Sequence, residues 1–71
     1  MSATGEKLKE LRHAAGFMQN QIAVLLGVDR STYAYYETGK TVPSITSLQK
    51  LCSLYSVPMD TFIRCLLEDG K

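Results

Sequence analysis

The chain has 71 residues and a formal net charge of +1, which leaves room for one domain and little more. The polar opening MSATGEKLKE lacks the apolar segment of a secretory signal, and no apolar run approaches the roughly 20 residues of a transmembrane helix. Two cysteines, one histidine and no Cys-x-x-Cys motif argue against a zinc site and favour a reduced, cytoplasmic protein.

The first two predicted helices are short, and each ends at a glycine. In GEKLKELRHAAG, Leu8, Leu11 and Ala15 recur at helical spacing, and Gly16 follows the last turn. The segment QNQIAVLLG predicts a second helix that stops at Gly27, since glycine is common just past a helix end. The apolar side of this second helix consists of Ile22, Ala23 and Leu26.

Three further helices are predicted, each opened by a capping residue or a proline. Asp29 is a good N-cap for DRSTYAYYETG, which ends at Gly39. After the loop KTVP, Ser44 caps ITSLQKLCSLYS, and Pro58 begins the last helix, MDTFIRCLLED. Because alternation of apolar and polar residues is not sustained anywhere, strands are not expected. The sequence therefore predicts five short helices and an all-α fold.

The connection between the second and third helices, GVD, is too short to keep them apart. The two helices must cross closely, which requires small side chains at their contact. Ala23 is small, and Gly27 follows four residues later, where the chain reverses and φ can be positive. Val28 can fill the gap between the helices, and Tyr33 is the next core residue. With the caps and the short turn, this spacing indicates a helix-turn-helix.

The three tyrosines of the third helix divide between two faces. At about 100° per residue, Tyr33 and Tyr36 fall on one half of the helix and Tyr35 falls on the other. The half with Tyr35 also carries Arg30, Ser31 and Ala34. We therefore expect Tyr33 and Tyr36 to lie in the core and Tyr35 to lie on the surface.

The segment from Leu8 to Ile63 resembles the phage repressor and Cro family of helix-turn-helix regulators, the XRE group. The landmarks that carry the resemblance are Arg12, Gln19, Ala23, Gly27-Val28, Glu37, Gly39-Lys40, Pro43 and the final SVPMDTF. The resemblance implies a compact five-helix domain of the lambda-repressor-like type, with residues 1–71 as one domain around a family-like core at about 8–63. Two positions depart from the family pattern: Met18 replaces the usual Ser or Thr cap, and Tyr33 replaces Ile or Val.

The resemblance implies that the third helix enters the major groove of double-stranded DNA with its N-terminal part at the base edges. The residues expected to read bases are Arg30, Ser31, Ala34 and Tyr35. Arg30 can donate two hydrogen bonds to a guanine, and Ala34 leaves room for a thymine methyl group. The alternatives are a phosphate contact or a solvated side chain for Arg30, and a solvated side chain for Tyr35.

Phosphate contacts are expected on both sides of the recognition helix, from Gln19, Asn20, Gly39, Lys40 and Thr41. Gln19 opens the second helix, where free backbone N–H groups favour an anion. The turn at Gly39, Lys40 and Thr41 can offer N–H groups to another phosphate, and Lys40 adds a charge. The alternative for Gln19 is an ordinary solvated residue.

The resemblance also implies a structural ion pair between Arg12 and Glu37, which joins the first helix to the end of the third and orients it. The last helix carries more apolar side chain than a small monomer needs. A homodimer would cover it through Leu54, Ile63, Cys65, Leu66 and Leu67. The alternative is that these residues close the core of a monomer.

Two classes of function fit this sequence. The first is a sequence-specific DNA-binding transcriptional regulator, in particular a repressor that binds a palindromic operator as a dimer. The second is a protein-interaction adaptor or antitoxin-like component that keeps the fold, which the near-neutral charge and tyrosine-rich third helix leave open. No credible catalytic arrangement is present, so an enzyme is not expected. Nor are a metal, a cofactor or a small-molecule ligand. The protein is expected to be bacterial or phage-encoded and to lie in the cytoplasm in association with the nucleoid.

Overall fold

The computed structural model describes residues 2–71 and consists of five α-helices. They are α1 (Ala3–Ala15), α2 (Gln19–Leu26), α3 (Arg30–Thr38), α4 (Ile45–Tyr55) and α5 (Met59–Asp69). Residues 2–71 contain no β-strand, so the predicted all-α, five-helix fold is confirmed. No helix among these residues has the length and apolar character needed to cross a membrane.

Two serines cap helices through their hydroxyl groups. Ser2 Oγ accepts a hydrogen bond from the N–H of Gly5 at 2.9 Å, so α1 begins earlier than its apolar spacing indicated. Ser44 Oγ accepts from the N–H of Ser47 at 3.1 Å, as predicted for the start of α4. Each bond satisfies one of the N–H groups that a helix leaves without an internal partner at its first turn.

The other helix starts are secured differently. Met18 lies at the N-cap position of α2 without a capping side chain, and Gln21 Oε1 instead accepts the Met18 N–H at 2.8 Å. Asp29 lies at the N-cap position of α3, but its side chain makes no capping hydrogen bond. Pro58 precedes the first residue of α5. The start of α2 is therefore held by the second half of a capping box, in which the third helical residue reaches back.

The core gathers side chains from all five helices and supports the division of the tyrosines made from sequence. Its buried members are Leu8, Ile22, Ala23, Leu26, Tyr33, Tyr36, Leu48, Leu51 and Phe62. The rings of Tyr33 and Tyr36 meet edge to face, with centroids 6.2 Å apart. Tyr35 is 40% exposed.

Helix α1 lies against both α3 and α5, and one glycine permits the first of these contacts. Gly5 is buried against the backbone of Glu37, and a methyl group placed on it would overlap the carbonyl of that residue. The close approach of α1 to the end of α3 therefore depends on the absence of a side chain at Gly5. The apolar spacing used to predict α1 gave no indication of this role.

The end of α5 is tied to the start of α1 by Asp69. Its Oδ1 accepts the N–H of Ala3, and its Oδ2 accepts the N–H of Thr4 at 3.1 Å and the Thr4 hydroxyl at 2.7 Å. A carboxylate at a helix N-terminus meets free N–H groups and the positive end of the helix dipole. Asp69 therefore acts as a second cap for α1, supplied from the far end of the described chain.

Candidate nucleic-acid interface

The α2–α3 turn has the tight geometry that its sequence predicted. Gly27 adopts a left-handed conformation with φ of 72°, and the N–H of Val28 donates to the carbonyl of Ala23 at 3.0 Å. Ala23 itself is buried, which lets the two helices cross closely. The outer face of α3 is thereby held in a fixed direction relative to α2.

The outer face of α3 presents the four residues predicted to read bases. Arg30, Ser31 and Tyr35 are exposed, and Ala34 is half-buried among them. The face therefore offers a guanidinium, a hydroxyl, a methyl group and a phenol within one and a half turns of helix. These groups can donate to or accept from base edges, and the methyl can contact thymine.

A shallow pocket of about 290 Å³ joins the start of α2 to the start of α3. It is lined by Arg12, Met18, Gln19, Asn20 and Arg30. The first N–H groups of α2 have no partner within that helix and belong to its positive end. With one free guanidinium at Arg30, the pocket has the chemistry of an anion site.

Behind this pocket, Arg12 and Glu37 form a buried two-point ion pair. Arg12 Nε donates to Glu37 Oε2 at 2.6 Å, and a second guanidinium nitrogen donates to Oε1 at 3.0 Å. The third nitrogen donates to the carbonyl of Phe17 at 3.0 Å. Arg12 is thus engaged within the protein, which leaves Arg30 as the arginine of the pocket available to a ligand.

Gln19 contacts the ion pair through its side chain and also lines the pocket. Its side-chain amide donates to Glu37 Oε1 at 3.1 Å, a bond that the sequence did not predict. Burial by itself would raise the pKa of the Glu37 carboxyl, but hydrogen bonds from Arg12 and Gln19, together with the positive charge of Arg12, outweigh it and lower the pKa. Glu37 therefore stays ionised, and Gln19 keeps its backbone N–H and one amide hydrogen for an anion.

The turn after α3 differs from its prediction. The N–H groups of Gly39, Lys40 and Thr41 were expected to face a phosphate, but those of Gly39 and Lys40 donate to the carbonyl of Tyr35, the second at 3.0 Å. The N–H of Thr41 also points to that carbonyl, at 3.4 Å. The prediction is wrong for the backbone because the left-handed Gly39 folds the turn back over the end of α3. What the turn presents outward is the ammonium group of Lys40 and the Thr41 hydroxyl.

The predicted dimer residues do not share one environment. Leu54 and Leu66 pack against the core, and Cys65 is half-buried. Only Ile63 and Leu67 are strongly exposed, at 45% and 68%. The apolar surplus on α5 is therefore smaller than its sequence suggested, because Leu66 already packs against the core.

Other exposed apolar side chains lie away from α5. They are Met18, Val24, Leu25, Val42 and Ile45. Ile45 lies in the first turn of α4, and Leu48 is the first apolar residue of that helix to be buried. Within residues 2–71, no group of three or more histidine, cysteine, aspartate or glutamate side chains is placed to hold a metal ion.

Comparison with known families and proteins identifies the arrangement. Residues 3–62 match the helix-turn-helix domain family. Over 60 residues the chain is 37% identical to the SPbeta prophage-derived uncharacterized HTH-type transcriptional regulator YonR of Bacillus subtilis, covering 84% of this chain and 56% of that protein. It is 34% identical over 53 residues to the cryptic phage CTXphi transcriptional repressor RstR of Vibrio cholerae, covering 75% of this chain and 48% of that protein. The chain thus spans about half the length of these two relatives.

Two solved structures share the fold. A transcriptional regulator from Listeria innocua superimposes with a TM-score of 0.80 and 36% identity, over 83% of this chain and 55% of that chain. The restriction-modification controller protein C.AhdI from Aeromonas hydrophila superimposes with a TM-score of 0.76 and 31% identity, over 86% of this chain and 92% of that chain. At these identities, the likeness extends beyond the fold to the sequence.

Proposed function

This chain belongs to the helix-turn-helix family of transcriptional regulators, and we propose that it is a repressor that binds a specific double-stranded DNA sequence. In this proposal residues 2–71 act as one DNA-binding domain, α3 enters the major groove, and a dimer binds a palindromic operator in the cell's cytoplasm. The observation that carries the proposal is the outward face of α3, with Arg30, Ser31 and Tyr35 exposed beside the anion-binding chemistry of the α2 start.

We assign each side chain to a base or a phosphate contact according to the hydrogen-bonding groups that it does not use within the protein. Arg30 has no hydrogen bond to the protein among the described residues, so its guanidinium is available for a bidentate contact with guanine. Ser31 and Ala34 complete the base-reading face. Phosphate contacts come from the start of α2, at Gln19 and Asn20, and from the Lys40 ammonium and Thr41 hydroxyl. Contacts to the phosphate backbone of DNA fix the register of the protein on the duplex without reading the base sequence.

The proposed dimer rests on a smaller surface than the sequence suggested. Ile63 and Leu67 are the exposed apolar residues of α5, four positions apart and therefore on one face of the helix. A two-fold axis near this face would pair the two domains so that their recognition helices meet half-sites about 34 Å apart. The name of the Vibrio relative supports a repressor role.

The test begins with binding to random duplex DNA at increasing salt. A protein that contacts several phosphates binds at low salt, and its affinity falls linearly on a logarithmic plot as salt rises. Selection of bound sites from random duplexes should then return a palindrome. Absence of salt-sensitive duplex binding would reject DNA binding and favour the protein-interaction adaptor, whereas an unsymmetrical selected site would reject only the dimer.

A further inference from the structure

The carbonyl of Tyr35 organises the turn that carries Lys40. It accepts the N–H groups of Gly39 and Lys40, the latter at 3.0 Å, and the hydroxyl of Thr38 at 3.3 Å. The N–H of Thr41 lies 3.4 Å from the same oxygen. Tyr35 therefore fixes the path of the backbone from which the Lys40 side chain leaves.

The ring of Tyr35 also holds the far end of the same lysine. The Lys40 ammonium lies over the ring, with Nζ 4.4 Å from its centroid. A cation within about 6 Å of a ring centroid is attracted to the face of the ring. Lysine has a flexible four-carbon stem with large rotamer entropy. A ring that fixes the ammonium group therefore reduces the side-chain entropy that Lys40 loses when it binds a phosphate.

We propose that Tyr35 is a positioning residue for the phosphate contact of Lys40, and that it does not read bases. One face of the ring is occupied by the ammonium group, which keeps its remaining N–H groups directed away from the ring and free for a phosphate oxygen. Ring and lysine together form a preassembled phosphate contact at the end of α3. This inference rests on the proposed function, because it assigns Tyr35 a role within DNA binding.

The phenol hydroxyl separates this role from base reading. Positioning of a cation requires the aromatic face, which phenylalanine also has, whereas hydrogen bonding to a base edge requires the hydroxyl. Tyr35→Phe keeps the ring and removes the hydroxyl, and Tyr35→Leu removes both. Both substitutions leave the backbone carbonyl in place, so the turn itself is not the variable. Lys9→Ala is the matched control, because Lys9 is an exposed lysine on α1 outside the interface.

The first measurement uses the free protein. In proton NMR spectra of wild-type protein and of Tyr35→Phe, the ring current of the aromatic side chain at position 35 should shift the ε-methylene protons of Lys40 upfield. This shift should be lost in Tyr35→Leu, which has no ring. Equal shifts in all three proteins would show that the lysine does not rest on the ring and would overturn the proposal. This measurement does not depend on DNA.

The second measurement is affinity for random duplex DNA as a function of salt. Lys40→Ala should lower the salt slope by about one. Tyr35→Leu should weaken binding about two- to tenfold, because the Lys40 side chain must then be immobilised when DNA binds, and Tyr35→Phe should restore the affinity. In the Lys40→Ala background, Tyr35→Leu should have no further effect, and Lys9→Ala should leave the slope unchanged.

The outcomes distinguish this inference from the proposed function. Additive effects of Tyr35→Leu and Lys40→Ala would overturn positioning while leaving DNA binding in place. A Tyr35→Phe protein that loses specificity at one base pair would show that the hydroxyl reads a base, and would also overturn it. A wild-type protein that binds no duplex would reject the proposed function, and this inference with it, whatever the NMR spectra show.

Discussion

Arg12 and Glu37, 25 positions apart, meet through two hydrogen bonds of 2.6 and 3.0 Å and join α1 to the end of α3. Their side chains are only 10% and 4% exposed. A buried pair of this kind contributes little net stability relative to apolar residues, but removing one member leaves the other as an unpaired buried charge. The pair therefore serves mainly to orient α3, and removing one of its members should lower the free energy of unfolding substantially.

Glu37→Gln should destabilise the domain by about 3–5 kcal/mol, because it leaves the Arg12 guanidinium without its counter-charge. A domain of this size has a free energy of unfolding on the order of 4–10 kcal/mol, so the variant should be close to unfolding at 37 °C. Urea denaturation followed by circular dichroism measures the difference. A variant within about 1 kcal/mol of wild type would show that the pair is not a determinant of stability.

The same pair should make wild-type stability dependent on acidity. Because the pKa of Glu37 is lower in the folded protein than in the unfolded chain, the unfolded state binds the proton more readily. The stabilisation from Glu37 is complete above the unfolded pKa of about 4.3 and is lost as pH falls through the folded value. The gap between wild type and Glu37→Gln should therefore narrow below about pH 5. A gap that stays constant down to pH 3 would contradict the lowered pKa.

The buried hydroxyl of Tyr33 should be dispensable. It has no hydrogen-bond partner among the described residues, and burial, with the nearby Glu37 carboxylate, raises the pKa of the phenol. Tyr33→Phe removes a desolvated polar group and should be at least as stable as wild type. Tyr33→Ala should lose about 3–5 kcal/mol through the cavity it leaves, whereas Tyr35→Ala should melt near wild type. A marked loss on Tyr33→Phe would show that the hydroxyl supports the Glu37 carboxylate.

Arg30→Ala should relax specificity at one base pair in each half-site, at a cost of about 1–3 kcal/mol on the preferred operator. The structure supports this because the Arg30 guanidinium is exposed beside the α2 start and has no protein partner among the described residues. Lys40→Ala should weaken binding to all sequences alike. Titration against a set of operator variants measures both effects, and a uniform loss for Arg30→Ala would assign it to phosphate.

Leu67→Glu should split the proposed dimer while leaving the monomer folded. Leu67 is 68% exposed, so a charge there costs the monomer little, whereas burying it in an apolar contact is unfavourable. Leu66→Glu should instead unfold the monomer, because Leu66 packs against the core. Sedimentation equilibrium at micromolar concentration, with thermal melting as the control for folding, separates the two. A wild-type protein that is monomeric alone and on operator DNA would reject the dimer.

Gly5→Ala should destabilise the domain by about 1–3 kcal/mol, the usual range for overpacking. Its methyl group would overlap the carbonyl of Glu37, and relief requires α1 to move away from the end of α3. Gly70→Ala is the matched control, because a methyl group there meets its nearest neighbours at ordinary distances of 3.6 Å or more. Equal melting temperatures for the two variants would show that α1 can shift without cost.

The helices could be predicted from sequence because the signals that define them are local. Helical spacing of Leu8 and Leu11, and the stop at Gly16, are contained within one element. The burial of Leu66 could not be predicted in the same way, because it depends on where α5 docks. The turn after α3 was also beyond such reasoning, since one carbonyl, that of Tyr35, takes up the N–H groups expected to be free.

Asp69 delays the completion of the first turn of α1 until the end of α5 has been synthesised. The N–H groups of Ala3 and Thr4 emerge from the ribosome before the carboxylate that accepts them, which lies 66 and 65 positions later. At about 5–20 residues per second, the start of α1 waits several seconds for this partner. A nascent chain arrested before Asp69 should therefore fray at Ala3 and Thr4 and exchange those amide hydrogens with solvent, even where the rest of α1 is already helical.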